Sequence, residues 1–274
     1  RRPARPQPAA RASRIPETTP LSHPSMRAAL LVAFTGVLLS VTYTLFETDV
    51  WQHLLVGKAI WQLGHVPTTQ LWAWPSFGDP EVNSAWLFRA LIWQVWSLGE
   101  VWGLYAWRWA TTLVAFGALW AAARAMGTRG FAALIVPVAC VLVYRTRSQI
   151  RPETLVAVLL SLEVWILETR RHGGRDRTAW LPLIALLWAN VHLSWFLGMV
   201  LIGIHWLAAQ NAAWRRRPGA AGPDPRPNRL LLIALASLAV SFLNPFGWRA
   251  LWQPFDFALN WRGEPMFQAI GELQ

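Results

Sequence analysis

The sequence predicts an all-α, polytopic bundle of transmembrane helices with about seven spans. Of its 274 residues, 54% are hydrophobic and only 14% are charged, whereas roughly a quarter of the residues in a soluble domain are charged. The charged residues are clustered, so that long stretches between them carry none. The net charge is +11, but the arginines lie between apolar runs and not on one basic face, so we predict no nucleic-acid partner.

Seven apolar runs are candidate spans, because a helix needs roughly 20 apolar residues to cross about 30 Å of hydrocarbon. A Pro/Arg-rich leader, residues 1–26, precedes the first run, and we predict that it is disordered and cytoplasmic. We interpret the first run as an uncleaved anchor and not as a signal peptide. The runs cover residues 28–46, 102–123, 131–144 and 155–167, two runs that share 178–214 and meet near His192, and 230–248.

The distribution of basic residues predicts that the amino terminus lies inside, since Lys and Arg are enriched on the cytoplasmic side of membrane proteins. In that orientation 17 basic residues lie in inside segments and seven in outside segments. Residues 47–101 then form a large external loop. Eight of the 20 tryptophans lie between Trp51 and Trp102, and residues 84–97 have the pattern of an interfacial helix.

We expect residues 27–274 to form one transmembrane domain in the bacterial cytoplasmic (inner) membrane. The last run is followed by a short segment without a closing element, so this domain is expected to be truncated at its carboxyl end. The single cysteine, Cys140, excludes an intramolecular disulfide and a cysteine-based metal site. The motifs of phosphate loops, zinc proteases and hydrolase nucleophile elbows do not occur.

Asp49 is the first candidate site residue, because it follows the first span directly. A carboxylate at the outer mouth of a helix bundle is well placed to act as a general base. A helix N-cap explains Asp49 equally well. His53 lies four residues further and therefore on the same helical face. It is a candidate substrate contact, with a polar interfacial residue as the alternative.

Two further sets of polar residues border the predicted spans. Arg145, Arg147 and Arg151 lie at the outer ends of the third and fourth spans, and guanidinium groups match phosphate oxygens. The alternative for these arginines is contact with lipid head groups. His192 and Asn190 interrupt the longest uncharged region, where polar residues are costly unless they face a cavity or a partner. They are candidate substrate contacts or members of an interhelical hydrogen bond.

Several segments together resemble a known family. They are D-x-W-x-H from Asp49, the segment from Gly57 to Thr69, V-N-x-x-W-L from Val82, R-P at Arg151, L-W-A-N-x-H ending at His192, and N-P-F-G-W from Asn244. In this order they resemble the bacterial C-type (GT-C) glycosyltransferase-like integral membrane proteins. These are related in architecture to protein mannosyltransferases and to the aminoarabinose transferase of lipid A. The likeness extends from about Arg27 to the end of the chain.

The resemblance implies an inverting transfer of a sugar from a polyprenyl-phosphate carrier to an acceptor on the external face. It implies that Asp49 is the base, with Glu47 as its neighbour, and that Arg151 binds the carrier phosphate. His192 would line the cavity. No cofactor is implied, and a requirement for a divalent metal ion stays open.

The chain departs from the family pattern in the first external loop. Gln70 stands where relatives often carry the acid of P-x-T-D. Ser84 and Ala85 stand where the relatives read N-H-E-W, so a second acid is also absent. A catalytically silent membrane protein, such as a lipid-binding or cell-envelope assembly partner, is therefore the alternative function. A transporter is a third interpretation, which the scarcity of charges within the spans disfavours.

Overall fold

A computed structural model describes residues 19–44, 47–215 and 226–263. Within these residues the chain forms nine α-helices and no β-strand, so the all-α prediction is confirmed. Short 3₁₀ turns at Arg145–Arg147, Thr178–Trp180 and Leu193–Trp195 precede α5, α6 and α7. The helices are α1 (Pro24–Val41), α2 (Asp49–Leu63), α3 (Trp86–Ala125), α4 (Ala132–Tyr144), α5 (Glu153–Arg171), α6 (Leu181–Val191), α7 (Phe196–Arg215), α8 (Pro227–Ser241) and α9 (Trp248–Asp256).

The first helix begins four residues before the predicted run. His23 caps it, because its side chain accepts a hydrogen bond from the Ser25 amide, and Pro24 fits the first helical position. The predicted disordered leader therefore ends in a helix, while its residues 1–18 lie outside the described part of the chain. The helix also ends earlier than predicted, at Val41, where the Thr42 hydroxyl donates to the Leu38 carbonyl.

Two helical segments are long and apolar enough to cross a membrane, Pro24–Val41 and Leu193–Arg215. Most of their side chains face away from the rest of the protein, as Val32 does with 72% of its surface exposed. Apolar helices with outward-facing apolar side chains favour association with a membrane.

Seven spans are not confirmed by the helix lengths. Three helices are too short: α6 has 11 residues and α4 has 13, or about 17 and 20 Å at 1.5 Å per residue, and α8 has 15. The longer helices α5 and α3 contain charged residues, Glu163 and Arg108, which lower the hydropathy of those runs.

The helix α3 is broken at Glu100, which has a φ of 45° and a ψ of −128°. This break separates the predicted interfacial helix, residues 84–97, from the predicted span that begins at Trp102. The two halves approach closely beside Gly103, where an added Cβ would lie 2.3 Å from the Val95 carbonyl oxygen. A glycine is required there because any side chain would push the halves apart.

The two largest hydrophobic clusters hold most of the helices together. One surrounds Trp188 of α6 and is built from α5, α6, α7 and α8. The other surrounds Phe88 and Ile92 of α3 and joins α2 to the start of α5 and the end of α6. The helix α2 and the first half of α3 thus pack against α5 and α6. This packing places the beginning of α2 beside the beginning of α5.

Polar contacts gather at two opposite ends of this framework. At one end the segment after α1 meets the segment between α4 and α5, and the end of α6 meets the segment after α8. At the other end Asp176, between α5 and α6, accepts contacts from Arg170 at 3.6 Å and from Arg229 of α8 at 3.2 Å. The helices α5, α6, α7 and α8 therefore run in alternating directions between the two ends. We call the first the site end, because the candidate residues collect there.

Candidate functional site

A polar cleft of about 320 Å³ opens at the site end, between the chain preceding α2 and the chain preceding α5. Its lining contains two carboxylates and two guanidinium groups, from parts of the chain about 100 residues apart. The lining residues are Glu47, Thr146, Arg147, Gln149, Arg151 and Glu153. The cleft brings together three residues that the sequence singled out, Glu47, Arg147 and Arg151, and one that it did not, Glu153.

Arg151 forms an ion pair with Glu47 through its Nε atom. The Glu47 side chain is only 9% exposed, so this pair is largely shielded from solvent. Glu47 therefore serves first to hold Arg151 in place, with the guanidinium at the edge of the cleft.

The sequence of the second lining segment explains its local shape. Pro152 occupies the N-cap position of α5, and Glu153 is the first residue of the helix. A negative charge in the first turn interacts favourably with the helix dipole. Thr154 extends the anchor, since its hydroxyl donates to the Arg151 carbonyl at 2.8 Å and accepts from the Trp107 indole at 3.1 Å.

Arg108 connects the two sides of the cleft, the chain after α1 and the chain before α5. Its side chain is fully buried in α3, and its Nε donates to the Ser148 carbonyl at 2.9 Å and to the Ser148 hydroxyl at 3.0 Å. Its Nη1 donates to the Tyr43 carbonyl at 2.9 Å, while the guanidinium lies 4.0 Å from the centre of the Tyr43 ring. The sequence analysis missed this role, although a lone charge inside an apolar run was the available signal.

Asp49 lies beside the cleft but does not line it. It is the first residue of α2, it is exposed, and its backbone amide faces a Glu47 carboxylate oxygen at 3.4 Å. The N-cap position belongs to Thr48, so the N-cap interpretation of Asp49 is wrong by one residue. Its negative charge still stabilises the first turn of α2 by interacting with the helix dipole.

His53 is a buried residue and not an interfacial one. Only 8% of its surface is exposed, its ring packs edge-to-face on Phe88 at 5.2 Å, and its Nδ1 atom has no hydrogen-bond partner. Burial, helped by the charge of Arg89 and opposed by that of Glu47, lowers the pKa of His53 to about 4. His53 is therefore neutral near pH 7, and it packs in the protein interior next to Phe88.

His192 is the C-cap residue of α6 and lies next to Glu153, which lines the cleft. Its Nε2 atom lies 3.8 Å from the Glu153 Oε1 atom. Its Nδ1 atom accepts a hydrogen bond from the Ser194 amide at 3.1 Å and lies 2.8 Å from the Ser194 hydroxyl oxygen. Burial lowers the pKa of His192, and the charge of Glu153 opposes that effect. The structure thus joins His192 to the candidate site.

Asn190 forms a saturated interhelical hydrogen-bond network. Its Oδ1 accepts from the Trp86 indole at 2.7 Å, and its Nδ2 donates to the carbonyls of Leu186 and Leu243 at 2.8 and 3.2 Å. Both of its N–H groups are used within the protein. Asn190 connects the beginning of α3 to the ends of α6 and α8, which is the structural alternative foreseen for it.

The remaining positions that the sequence singled out lie outside the cleft. The Arg145 side chain is exposed and does not line the cleft, but its carbonyl accepts hydrogen bonds from the hydroxyls of Tyr43 and Ser148. Gln70 stabilises a turn of the segment between α2 and α3, because its side-chain oxygen accepts from the Trp72 amide at 3.1 Å. Ala85 is the residue before α3.

An apolar groove of about 490 Å³ lies along the helices next to the cleft. One of its lining residues, Tyr144, precedes Thr146 of the cleft lining by two residues. The groove is bordered by α3, α4, α5 and α7, with Phe116, Leu119, Ala157, Leu160, Val164, Leu197, Val200, Leu201 and Ile204 among its lining residues. A long hydrocarbon chain fits a groove of this composition.

No group of three or more His, Cys, Asp or Glu side chains within the described ranges could hold a metal ion. The described residues thus form an all-helical protein with two helices long and apolar enough to cross a membrane, and with a cleft at one end that is lined by two arginines and two glutamates. Comparison with protein-family models, with curated proteins and with solved structures finds no match.

Proposed function

We propose that this protein is a multi-pass membrane glycosyltransferase that moves a sugar from a polyprenyl-phosphate carrier to an acceptor on the external face. The cleft carries this proposal, because it combines two arginines with two carboxylates at one end of the helices. Guanidinium groups stabilise a phosphate leaving group, and a carboxylate can remove the proton of an acceptor hydroxyl. The adjoining apolar groove has the composition that a polyprenyl chain requires.

In this proposal Arg151 and Arg147 contact the carrier phosphate. Arg151 is held by Glu47 and is still 25% exposed towards the cleft. An arginine held in place by a carboxylate costs little further ordering when it binds an anion. The resemblance alone suggests Asp49 as the base, with Glu47 beside it, whereas the acids that line the cleft are Glu47 and Glu153.

The membrane arrangement belongs to the same proposal. The amino terminus lies in the cytoplasm of a bacterium, and the site end faces the periplasmic side of the inner membrane. The opposite end, with Asp176, Arg170 and Arg229, then faces the cytoplasm, in agreement with the rule that positive charge is retained inside. The shorter helices α4, α6 and α8 cross a locally thinned or water-exposed part of the bilayer.

Cysteine labelling tests this orientation directly. In a Cys140→Ser background, Ala73→Cys in the external loop and Arg175→Cys at the opposite end provide two exposed positions. A membrane-impermeant maleimide added to spheroplasts should label Ala73→Cys at once and Arg175→Cys only after the membrane is broken. Equal labelling of both positions, or the reverse order, would contradict the arrangement.

Loss of radiolabel from a polyprenyl-linked sugar tests the activity. Membranes that contain the full-length protein are incubated with undecaprenyl phosphate linked to mannose, glucose or aminoarabinose, and membranes without it serve as the blank. We expect one of these lipids to lose its sugar. Arg151→Gln should lower that rate on the order of 100-fold, since it removes a charge that stabilises the leaving group.

Arg249→Gln is the matched control, because Arg249 is an exposed arginine on α9 that does not line the cleft. It should leave the rate unchanged. If the wild-type protein releases none of the sugars, the transferase proposal fails.

The second candidate function is a silent lipid-binding membrane protein. The observation that favours it is the engagement of Glu47 by Arg151, together with the absence of acids at Gln70 and Ala85. Under this alternative the protein binds undecaprenyl phosphate and Arg151→Gln weakens that binding, but no sugar is released.

A further inference from the structure

We propose that Glu153 is the carboxylate that takes the proton from the acceptor hydroxyl, and that His192 is the positioning residue behind it. This inference rests on the proposed function and concerns the same cleft. It replaces the assignment of the base to Asp49, which rests on resemblance.

The three acids near the cleft differ in what their carboxylates can reach. Glu47 is 9% exposed and is ion-paired with Arg151, so its oxygens are committed. Asp49 is exposed to solvent at the start of α2 and lies outside the lining of the cleft. Glu153 lines the cleft, and 52% of its side chain is exposed. Glu153 is the acid that combines access to a substrate with a place beside the phosphate-binding arginines.

A hydrogen-bond network fixes which face His192 presents to Glu153. The Trp188 indole donates to the Ser194 hydroxyl at 3.1 Å, and the Ser194 amide donates to Nδ1 of His192. Because Nδ1 accepts a hydrogen bond, the neutral imidazole carries its proton on Nε2. That N–H is the group that lies 3.8 Å from the Glu153 carboxylate.

His192 therefore acts through Glu153 and not on the substrate. At 3.8 Å the Nε2–H is beyond hydrogen-bond distance of the Glu153 carboxylate but close enough to attract it, which favours the rotamers that keep the carboxylate beside His192 at the cleft. Trp188 is fully buried in the core of α5, α6, α7 and α8. The network thus connects the orientation of Glu153 to the rigid part of the protein.

The chemical step is an inverting displacement. The oxygen of the acceptor hydroxyl forms a bond to the anomeric carbon while its proton passes to the Glu153 carboxylate. The bond between the anomeric carbon and the phosphate oxygen breaks, and its electron pair leaves with the polyprenyl phosphate. The phosphodiester anion becomes a phosphomonoester dianion, whose added negative charge Arg147 and Arg151 stabilise. Glu153 later releases its proton to water.

Replacement of Glu153 with alanine, combined with azide, tests this assignment. Glu153→Ala should lower sugar transfer to water or to a hydroxyl acceptor by 100-fold or more. Azide is already an anion and needs no base, so it should restore transfer and give the inverted glycosyl azide. A residue with a purely structural role would not produce this azide product.

Two variants serve as comparisons. Asp49→Ala should keep transfer to hydroxyl within about threefold of the wild type, because Asp49 lies outside the cleft, and azide should have no effect. Asp79→Ala removes an exposed acid from the same external loop and should behave as the wild type. If Asp49→Ala shows the loss and the azide product while Glu153→Ala does not, the inference is wrong and the proposed function stands.

Binding of undecaprenyl phosphate, followed by tryptophan fluorescence, checks that each variant is folded. Glu153→Gln conserves size, and it should bind the lipid as the wild type does while losing transfer to hydroxyl. If Glu153→Gln keeps full transfer, the inference fails. If the wild-type protein itself transfers none of the lipid-linked sugars, the proposed function fails first.

A separate variant tests the positioning role. His192→Gln offers an amide N–H in place of Nε2–H, whereas His192→Phe offers none. We expect kcat to fall roughly 10-fold in His192→Gln and further in His192→Phe, with the KM for the lipid-linked sugar unchanged. A change in KM with an unchanged kcat would place His192 in substrate binding and overturn this role.

Discussion

Replacing His53 with glutamine should remove an acid-dependent loss of stability. Burial of the imidazole, helped by the charge of Arg89, lowers its pKa from 6.5 to about 4. In the unfolded chain the same imidazole binds a proton near pH 6.5. Between pH 6.5 and pH 4 the unfolded state therefore holds a proton that the folded state excludes, and the free energy of unfolding falls as the pH falls.

The size of this effect follows from the two pKa values of His53. Each pH unit within the window lowers the free energy of unfolding by about 1.4 kcal/mol, and the whole window amounts to about 3 kcal/mol. Above pH 6.5 the contribution does not change with pH. For a domain of this size such a loss lowers the thermal midpoint by roughly 6 to 12 °C.

The assay is thermal unfolding in detergent micelles between pH 7.5 and pH 4. Carboxylates elsewhere titrate in both proteins, so the informative quantity is the difference between the wild type and His53→Gln. We expect the midpoint of the wild type to fall further on acidification, by the amount given above. His65→Gln makes the same chemical change at an exposed position of the same loop and should follow the wild type. Parallel pH curves for the wild type and His53→Gln would refute the reasoning.

Two substitutions test the packing that brings the cleft together, both by thermal unfolding. Gly57→Ala would place a Cβ 2.1 Å from the Arg89 carbonyl oxygen. Because α2 and α3 must then separate, the free energy of unfolding should fall by roughly 2 kcal/mol or more. Gly117→Ala is the control, since no atom lies within 4 Å of its new Cβ, and it should leave the free energy of unfolding unchanged. Asn190→Ala leaves an indole N–H and a carbonyl without partners, at a cost of roughly 2 to 4 kcal/mol, whereas Asn260→Ala at an exposed site should be neutral. A midpoint unchanged by either core substitution would contradict the corresponding contact.

The helical class could be predicted because composition and periodicity act locally. In a long apolar run without charges, the backbone N–H and C=O groups have no water to bond to away from solvent. A helix satisfies these groups by hydrogen bonds within the same segment. The same reasoning separated the interfacial stretch before Trp102 from the run that follows it, and the structure breaks α3 at Glu100 between them. The predicted ends were less accurate, because caps such as His23 depend on single hydrogen bonds.

The candidate site was predictable only in part. The arginines were found because basic residues at the outer ends of apolar runs are conspicuous in a sequence, and Arg147 and Arg151 do line the cleft. Glu153 was not predicted, because the sequence does not distinguish a cleft residue from an acid that only favours the helix dipole. Nothing in the chain order indicates that His192, almost 40 residues further, lies behind it.

The sequence alone determined that this chain forms helices, where most of them lie, and that charge collects between them, since these properties depend on neighbours along the chain. The tertiary structure alone decided which charges meet. Glu47 reaches Arg151 across 104 residues, and it does so because the buried Arg108 joins the chain after α1 to the chain before α5. Such pairing depends on how helices pack, and helix packing is settled by the shapes of buried side chains over the whole protein.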